Sequence, residues 1–170
     1  MSGVDYKIAI GEWVARRLEQ NPKALRIACK VLDIFIVRDA LDEADCKTLI
    51  RLIDRNRIPS GLLSPTSDPE FRTSESCNLD SRNPAVEKVE AKIAGIMGID
   101  ADLGETIQGQ RYALGQQFKA HHDFFYEDAD YWPEMLRSGG QRTWTAMAFL
   151  NDPEGGGETM FERASIKVTP

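Results

Sequence analysis

Residues 110–125 read QRYALGQQFKAHHDFF and contain both histidines of the 170-residue chain. His121 and His122 are adjacent, and Asp123 follows them directly. Alternate side chains of an extended strand point to the same face of a sheet. A strand here would therefore bring His121 and Asp123 together and turn His122 to the opposite side, where packing is its expected role.

An imidazole and a carboxylate on one face are two of the three ligands of the facial triad that non-haem Fe(II) oxygenases use. The pair alone is a weak signal, because a histidine beside an acid is common and short motifs match by chance. The sequence contains no further histidine to complete such a triad. The surrounding sequence must therefore distinguish a metal site from an ordinary packed histidine.

The composition is that of a globular chain long enough for one domain with a sizeable core, with 42% apolar and 28% charged residues. A formal net charge of -6 without clustered Lys or Arg argues against a nucleic-acid partner. No apolar run approaches the roughly 18 residues of a membrane span, and the N-terminus lacks a signal-peptide pattern. We therefore expect no membrane partner and a cytoplasmic location. The three widely spaced cysteines predict reduced packing residues and neither a disulfide framework nor a zinc knuckle.

Helices are predicted mainly in the first hundred residues. Apolar residues recur at helical spacing in three segments, residues 4–19, 43–54 and 84–97. Asp42 is a suitable N-cap for the second segment. Asn83 and Pro84 favour the start of the third, and Gly98 favours its end.

The segments between these helices are predicted from turn and strand signals. A short helix is expected after Pro22, through about Cys29, and Val31–Val37 is rich in the β-branched and aromatic residues of a strand. Residues 55–84 are turn-rich and predict a long loop, or a set of short irregular strands, with a functional surface.

Beyond residue 104 the pattern changes to short strands separated by Gly, Asn and Pro. The candidates are Glu105–Tyr112, Gln116–Asp123, Arg142–Leu150, Glu158–Phe161 and Ser165–Val168. Helices followed by strands at this spacing predict an α+β fold whose β core is a sandwich or barrel.

Five ordered motifs add a more specific signal. They are Arg72-Thr73-Ser74, Tyr112-x-x-Gly115-Gln116-x-Phe118-x-x-His121-x-Asp123-Phe124-Phe125, Gly139-Gly140-Gln141-Arg142, Phe149-Leu150-Asn151 and Gly156-Gly157-Glu158-Thr159-Met160-Phe161. Together they resemble the catalytic domain of the prolyl 4-hydroxylases, which are Fe(II)- and 2-oxoglutarate-dependent dioxygenases. The resemblance covers roughly residues 31–170, which we expect to form a partial dioxygenase domain after an N-terminal helical segment over residues 1–30. It implies a double-stranded β-helix, or jelly roll, with the N-terminal helices packed on it.

The resemblance also implies roles for five residues. His121 and Asp123 match the iron ligands of the family. Tyr112 and Thr159 match positions whose hydroxyls contact the distal carboxylate of 2-oxoglutarate, although ordinary strand hydroxyls are the alternative. Arg142 matches a catalytic-site position near the substrate mouth, and a surface arginine is the alternative there.

The activity that the resemblance implies is hydroxylation of a peptidyl proline, coupled to decarboxylation of 2-oxoglutarate to succinate. The implied cofactors are Fe(II), with 2-oxoglutarate as cosubstrate, and ascorbate, and the implied partner is a proline-containing peptide or protein. A homo-oligomer is also compatible with the N-terminal helical stripe and an exposed sheet edge.

The sequence departs from the family pattern after Thr159. The family places a second histidine ligand and a lysine that pairs with 2-oxoglutarate well beyond this position, and the sequence ends at Pro170. We therefore expect a C-terminally truncated form of a longer hydroxylase, inactive if the distal histidine is absent. A non-catalytic jelly-roll interaction module lacking a complete metal triad is the main alternative. A metal hydrolase or cupin-like isomerase on the same fold also stays open, since a fold does not fix a function.

Overall fold

The computed structural model describes residues 3–170, and side chains from residue 6 onward. The helices and strands, in chain order, are α1 (Gly3–Glu19), β1 (Ala24–Ile27), β2 (Ile34–Val37), α2 (Glu43–Asn56), β3 (Ile58–Pro59), β4 (Glu75–Asn78), α3 (Pro84–Met97), β5 (Gln108–Arg111), α4 (Trp132–Arg137), β6 (Thr159–Phe161) and β7 (Ile166–Val168). The strands form three small antiparallel sheets, β1–β2, β3–β4–β5 and β6–β7. Helices combined with antiparallel strands confirm the predicted α+β class, whereas the jelly roll stays a prediction.

The chain divides into two compact units. The first comprises the residues up to Ala40, Lys92–Gly104 and His121–Met147. The second comprises Leu41–Ala91, Glu105–Ala120 and Ala148–Pro170. The domain boundary predicted at residue 30 stays a prediction. None of the described helices combines the length and the apolar character that a bilayer crossing requires.

In the first unit, α1 buries Val14 and Leu18 on one face, as its helical spacing predicted. The Arg17 guanidinium donates to the Gly95 carbonyl at 2.6 and 3.1 Å, which ties α1 to residues near the end of α3. The short helix predicted after Pro22 is wrong, because residues 24–27 form β1 and pair with β2. Ala, Leu and Arg are good helix formers, but propensity is worth less than about 1 kcal/mol per residue, and pairing with the β-branched strand outweighs it.

In the second unit, α2 begins where predicted, with the Asp42 side chain accepting a hydrogen bond from the Asp45 amide at 2.8 Å. Its apolar face buries Leu49 and Ile53 and contacts β4 and β5. A Cβ atom added to Gly109 of β5 would lie only 2.3 Å from Cγ1 of Ile53. The close approach of helix and sheet therefore requires glycine at this position.

The third predicted helix is also confirmed as α3. The Asn83 side chain accepts from the Ala85 amide at 3.0 Å, as expected of an N-cap, and Pro84 is the first helical residue. Gly98 follows the helix with φ +73°, the left-handed conformation that closes many helices. Residues 55–84 contain β3 and β4 between irregular stretches. This agrees with the prediction of short irregular strands and not with that of one long loop.

Three of the five predicted C-terminal strands contain an observed strand, namely β5, β6 and β7. The strands predicted at Gln116–Asp123 and Arg142–Leu150 are wrong, because within residues 3–170 neither segment is assigned to a strand. Gln116–Asp123 contributes one isolated bridge, between Phe118 and Arg72. The hydrogen bonds described between residues 121–125 and 141–145 all involve a side chain, from Gln141 or Arg142 to backbone groups and from Thr145 to the Asp123 carboxylate.

Candidate metal centre

The His121 and Asp123 side chains lie together in the first unit. His121 Nε2 is 3.5 Å from Asp123 Oδ1, and the two side chains are 35% and 50% exposed. The predicted proximity is therefore present, although the segment is not a strand. Both side chains are therefore partly open to solvent, and their role as metal ligands stays a prediction.

The second oxygen of the Asp123 carboxylate has its own partner. The Thr145 hydroxyl donates to Asp123 Oδ2 at 2.7 Å, a length typical of a charge-assisted hydrogen bond. The Arg142 guanidinium donates to the backbone carbonyl of Asp123 at 3.0 Å. Both the backbone and the side chain of Asp123 are therefore held by residues of the segment 142–145.

Gln141 fixes the backbone next to this acid. Its amide oxygen accepts from the Phe125 amide at 2.7 Å, and its amide nitrogen donates to the Phe125 carbonyl at 2.9 Å. The Phe125 side chain is 4% exposed, and the Arg142 guanidinium lies 4.3 Å from the centre of its ring. The Gln141 amide thus replaces the backbone partner that a strand would have supplied.

His122 contacts aromatic rings. Its ring stacks on Phe124, with centroids 4.8 Å apart and planes inclined by 28°. Its Nδ1 lies 3.2 Å from the Tyr126 hydroxyl. His122 and these rings are exposed, so they form an aromatic cluster at the surface, and the packing role expected of His122 stays a prediction.

The His121–Asp123 pair fits two ligand positions of a non-haem iron site. An imidazole nitrogen and a carboxylate oxygen are donor types that Fe(II) accepts in such sites. Adjacent ligands of an octahedral ion about 2.1 Å from each donor lie about 3 Å apart. The observed 3.5 Å is close to that separation. Among residues 3–170, no group of three or more His, Cys, Asp or Glu side chains is arranged to hold a metal ion.

The remaining predicted site residues are divided between the units. Arg142 lies in the first unit with the metal pair, and Tyr112 and Thr159 lie in the second. The Tyr112 hydroxyl donates to Gln110 Oε1 at 2.8 Å, and the residue is 44% exposed. Thr159 begins β6 opposite Val168 of β7. The structure therefore brings together His121, Asp123 and Arg142, and it describes the two hydroxyl residues in a different unit.

Arg72, from the first of the sequence motifs, is also in the second unit. Its guanidinium lies 4.5 Å from the centre of the Phe118 ring and donates to the Gly61 carbonyl at 2.9 Å and to Gln108 Oε1 at 2.8 Å. Burial lowers the pKa of Arg72, and the nearby Tyr112 hydroxyl opposes that shift. Arg72 thus links the Gly61 loop and the Phe118 ring to Gln108, the first residue of β5.

Thr145 and Gln141 contribute to the site, although the sequence alone predicted no role for either residue. Gln141 lies in one of the recognised motifs, which is a signal that could have drawn attention to it. Thr145 carries no such signal, because a single hydroxyl in a segment of mixed composition is common. Their functions depend on residues 141–145 lying beside residues 123–125, and no local sequence pattern encodes that arrangement.

The curated proteins that the chain matches include several named prolyl 4-hydroxylases. The chain is 31% identical over 140 residues to probable prolyl 4-hydroxylase 3 of Arabidopsis thaliana, covering 79% of this chain and 47% of that protein. It is 32% identical over 133 residues to probable prolyl 4-hydroxylase 6 of the same plant, covering 75% and 44%. It is 26% identical over 136 residues to a putative prolyl 4-hydroxylase of Acanthamoeba polyphaga mimivirus, covering 80% and 56%.

The chain spans about half the length of the curated relatives it matches. No family model matches it. The shared name of these relatives agrees with the resemblance carried by the motifs from Arg72 to Phe161. The chain therefore belongs to the prolyl 4-hydroxylase-type family.

Proposed function

We propose that the protein is an Fe(II)- and 2-oxoglutarate-dependent dioxygenase that hydroxylates a proline in a peptide or protein. The proposal is carried by one observation, the 3.5 Å approach of His121 Nε2 to Asp123 Oδ1 in a chain whose relatives are named prolyl 4-hydroxylases. The pair supplies a nitrogen and an oxygen donor, which suits iron in oxygenases. We include in the proposal a jelly-roll core and dependence on ascorbate, both from the family resemblance.

Bound Fe(II) would supply the oxidising chemistry with O2 as the oxidant: one oxygen atom of O2 would go to the proline and the other to succinate, while 2-oxoglutarate loses CO2. In this proposal His121 and Asp123 hold the ion through one nitrogen and one oxygen. Arg142 holds the Asp123 carbonyl, and its position beside the pair is consistent with a place at the substrate mouth. The hydroxyls of Tyr112 and Thr159 donate to the distal carboxylate of 2-oxoglutarate.

The proposal is tested by incubating the chain with Fe(II), 2-oxoglutarate, ascorbate and a proline-rich peptide. Where a third ligand completes the metal pair, we expect peptide mass to rise by one oxygen and succinate to form in equal amount, and Asp123→Ala to abolish both. His122→Ala is the matched control, because the adjacent histidine packs on Phe124 and should leave most of the activity. Succinate formation that persists in Asp123→Ala would refute the proposed role of the pair.

A non-catalytic interaction module is the second candidate. It is favoured by the finding that, in the part of the chain described, no three metal-binding side chains converge. A module of this kind would bind a proline-rich peptide equally well before and after His121→Ala, and 2-oxoglutarate would not bind. Peptide and 2-oxoglutarate titrations of both forms separate the two candidates.

A further inference from the structure

Thr145 contacts the proposed metal ligand Asp123 directly. We propose that Thr145 is a positioning residue, whose hydroxyl holds Asp123 Oδ2 so that the carboxylate offers Oδ1 alone to a metal ion. This inference rests on the proposed function, because it concerns how the proposed ligand is oriented.

The first support is the assignment of the two carboxylate oxygens to different partners. Asp123 Oδ2 accepts from the Thr145 hydroxyl at 2.7 Å, and Oδ1 faces His121 Nε2 at 3.5 Å. An ionised carboxylate has no proton to give, so the hydroxyl must be the donor. The hydrogen bond therefore occupies one carboxylate oxygen, and the other is the one nearest the imidazole.

The second support is the freedom that Asp123 would otherwise have. The terminal torsion of an aspartate is broad, and half of this side chain is exposed, so packing alone does not select one orientation. Thr145 is β-branched, which restricts its own χ1 and so limits the directions its hydroxyl can take. A stiff donor thus orients a flexible acceptor.

The third support is that the residues just before Thr145 are held against residues 123–125. Gln141 pairs with both backbone groups of Phe125, and Arg142 donates to the carbonyl of Asp123. These three hydrogen bonds hold Gln141 and Arg142 beside residues 123–125. Thr145, three residues further along, donates to the Asp123 carboxylate.

A chemical consequence follows for the ion. A carboxylate that binds through one oxygen uses one coordination position, whereas a carboxylate that binds through both uses two. A facial triad requires open positions for the cosubstrate and oxygen. Hydrogen bonds to ligating carboxylates are known to affect metal affinity by about 10–100-fold.

The test measures the Mn(II) dissociation constant of the whole chain by the EPR signal of free Mn(II), without 2-oxoglutarate or turnover. Thr145→Val keeps the shape and removes the donor, and we expect it to weaken Mn(II) binding by about tenfold. Thr145→Ser keeps a hydroxyl and should restore affinity to within about threefold of the original. Thr143→Val is the matched control, an exposed threonine two residues away, and should leave affinity unchanged. Thermal midpoints of all variants identify any general loss of folding.

The outcomes separate the two proposals. Equal affinity of Thr145→Val and the original chain, with binding lost in Asp123→Ala, overturns the role of Thr145 and leaves the proposed metal pair intact. Binding that is absent in the original chain, or unchanged in Asp123→Ala, overturns both proposals. Weak binding in Thr145→Val and in Thr145→Ser alike shows that the hydroxyl is not the cause, and it also overturns the positioning role.

Discussion

Asp123 is contacted both at its carbonyl, by Arg142, and at one carboxylate oxygen, by Thr145. A few donors from one short segment thus set the position of the proposed ligand. The His-x-Asp pattern predicted that His121 and Asp123 would meet, because the spacing of two residues is local information. It could not identify Thr145 or Gln141, since their partners lie 16 or more residues away in the sequence and are reached only through folding.

Gln141→Ala tests the contribution of the glutamine to this arrangement. The substitution removes the partners of the Phe125 amide and carbonyl, and an unpaired buried polar group costs about 1–3 kcal/mol. We expect the free energy of unfolding, measured by urea denaturation, to fall by about 1–3 kcal/mol. Gln20→Ala, at an exposed glutamine after α1, should change it by less than about 0.5 kcal/mol. Equal effects of the two substitutions would show that the Gln141 pairing contributes little.

Among the elements, the helices α2 and α3 were predictable because their signals are local. Both helices have a capping side chain at the start and an apolar face, and α3 is also followed by a glycine, Gly98. β1 was mistaken for a helix because its strand character depends on β2, its partner in the sheet. The segments 116–123 and 142–150 have the composition of strands, but composition cannot specify which groups will form hydrogen bonds with their backbone N–H and C=O groups.

The packing of α2 on β5 predicts that a larger residue at position 109 destabilises the fold. Gly109→Ala would place Cβ 2.3 Å from Cγ1 and 2.8 Å from Cδ1 of Ile53, so the helix or the strand must move. Overpacking of this kind costs about 1–3 kcal/mol, and we expect the free energy of unfolding to fall by that amount. Gly155→Ala is the matched control, because its added Cβ would meet no atom within 4 Å. In an Ile53→Ala background the cost of Gly109→Ala should shrink, and a cost that stays the same would contradict the proposed contact.

The ion pairs of the sheet β3–β4–β5 predict how the free energy of unfolding depends on pH. Glu75 of β4 accepts from Arg57 at 2.9 Å and from Arg111 at 3.1 Å, and these hydrogen bonds, that of Arg57 above all, hold the pKa of Glu75 below its usual 4.5. A lowered pKa in the folded state means that the carboxylate stabilises the fold above pH 4.5 and that this contribution is lost as the pH falls through the lower folded value.

Glu75→Gln should therefore lower the free energy of unfolding at pH 7, and its difference from the original chain should narrow as the pH falls below 4.5. Urea denaturation at several pH values measures this difference. Glu154→Gln, at an exposed loop position, is the control and should show no such narrowing. A Glu75→Gln difference that is constant from pH 7 to pH 3 would contradict the ion-pair explanation.

For the whole molecule, the predicted site residues are divided between the compact units: the metal pair and Arg142 belong to the first, and Tyr112 and Thr159 belong to the second. Sequence motifs were sufficient to recognise the family, because the order and spacing of many residues are more specific than any one of them. The same motifs could not describe the three small sheets, since sheet pairing is a property of the folded chain. The proposed function therefore depends most on whether the chain binds a metal ion and 2-oxoglutarate.

The most direct measurement is the calorimetric affinity of the chain for Mn(II), with and without 2-oxoglutarate, in the original form, in Asp123→Ala and in His122→Ala. Mn(II) replaces Fe(II) here because it accepts the same oxygen and nitrogen donors and does not oxidise in air. We expect 2-oxoglutarate to tighten Mn(II) binding in the original chain and in His122→Ala, and Asp123→Ala to abolish binding. Binding that is insensitive both to 2-oxoglutarate and to Asp123→Ala would contradict the account of this protein as an iron- and 2-oxoglutarate-dependent dioxygenase.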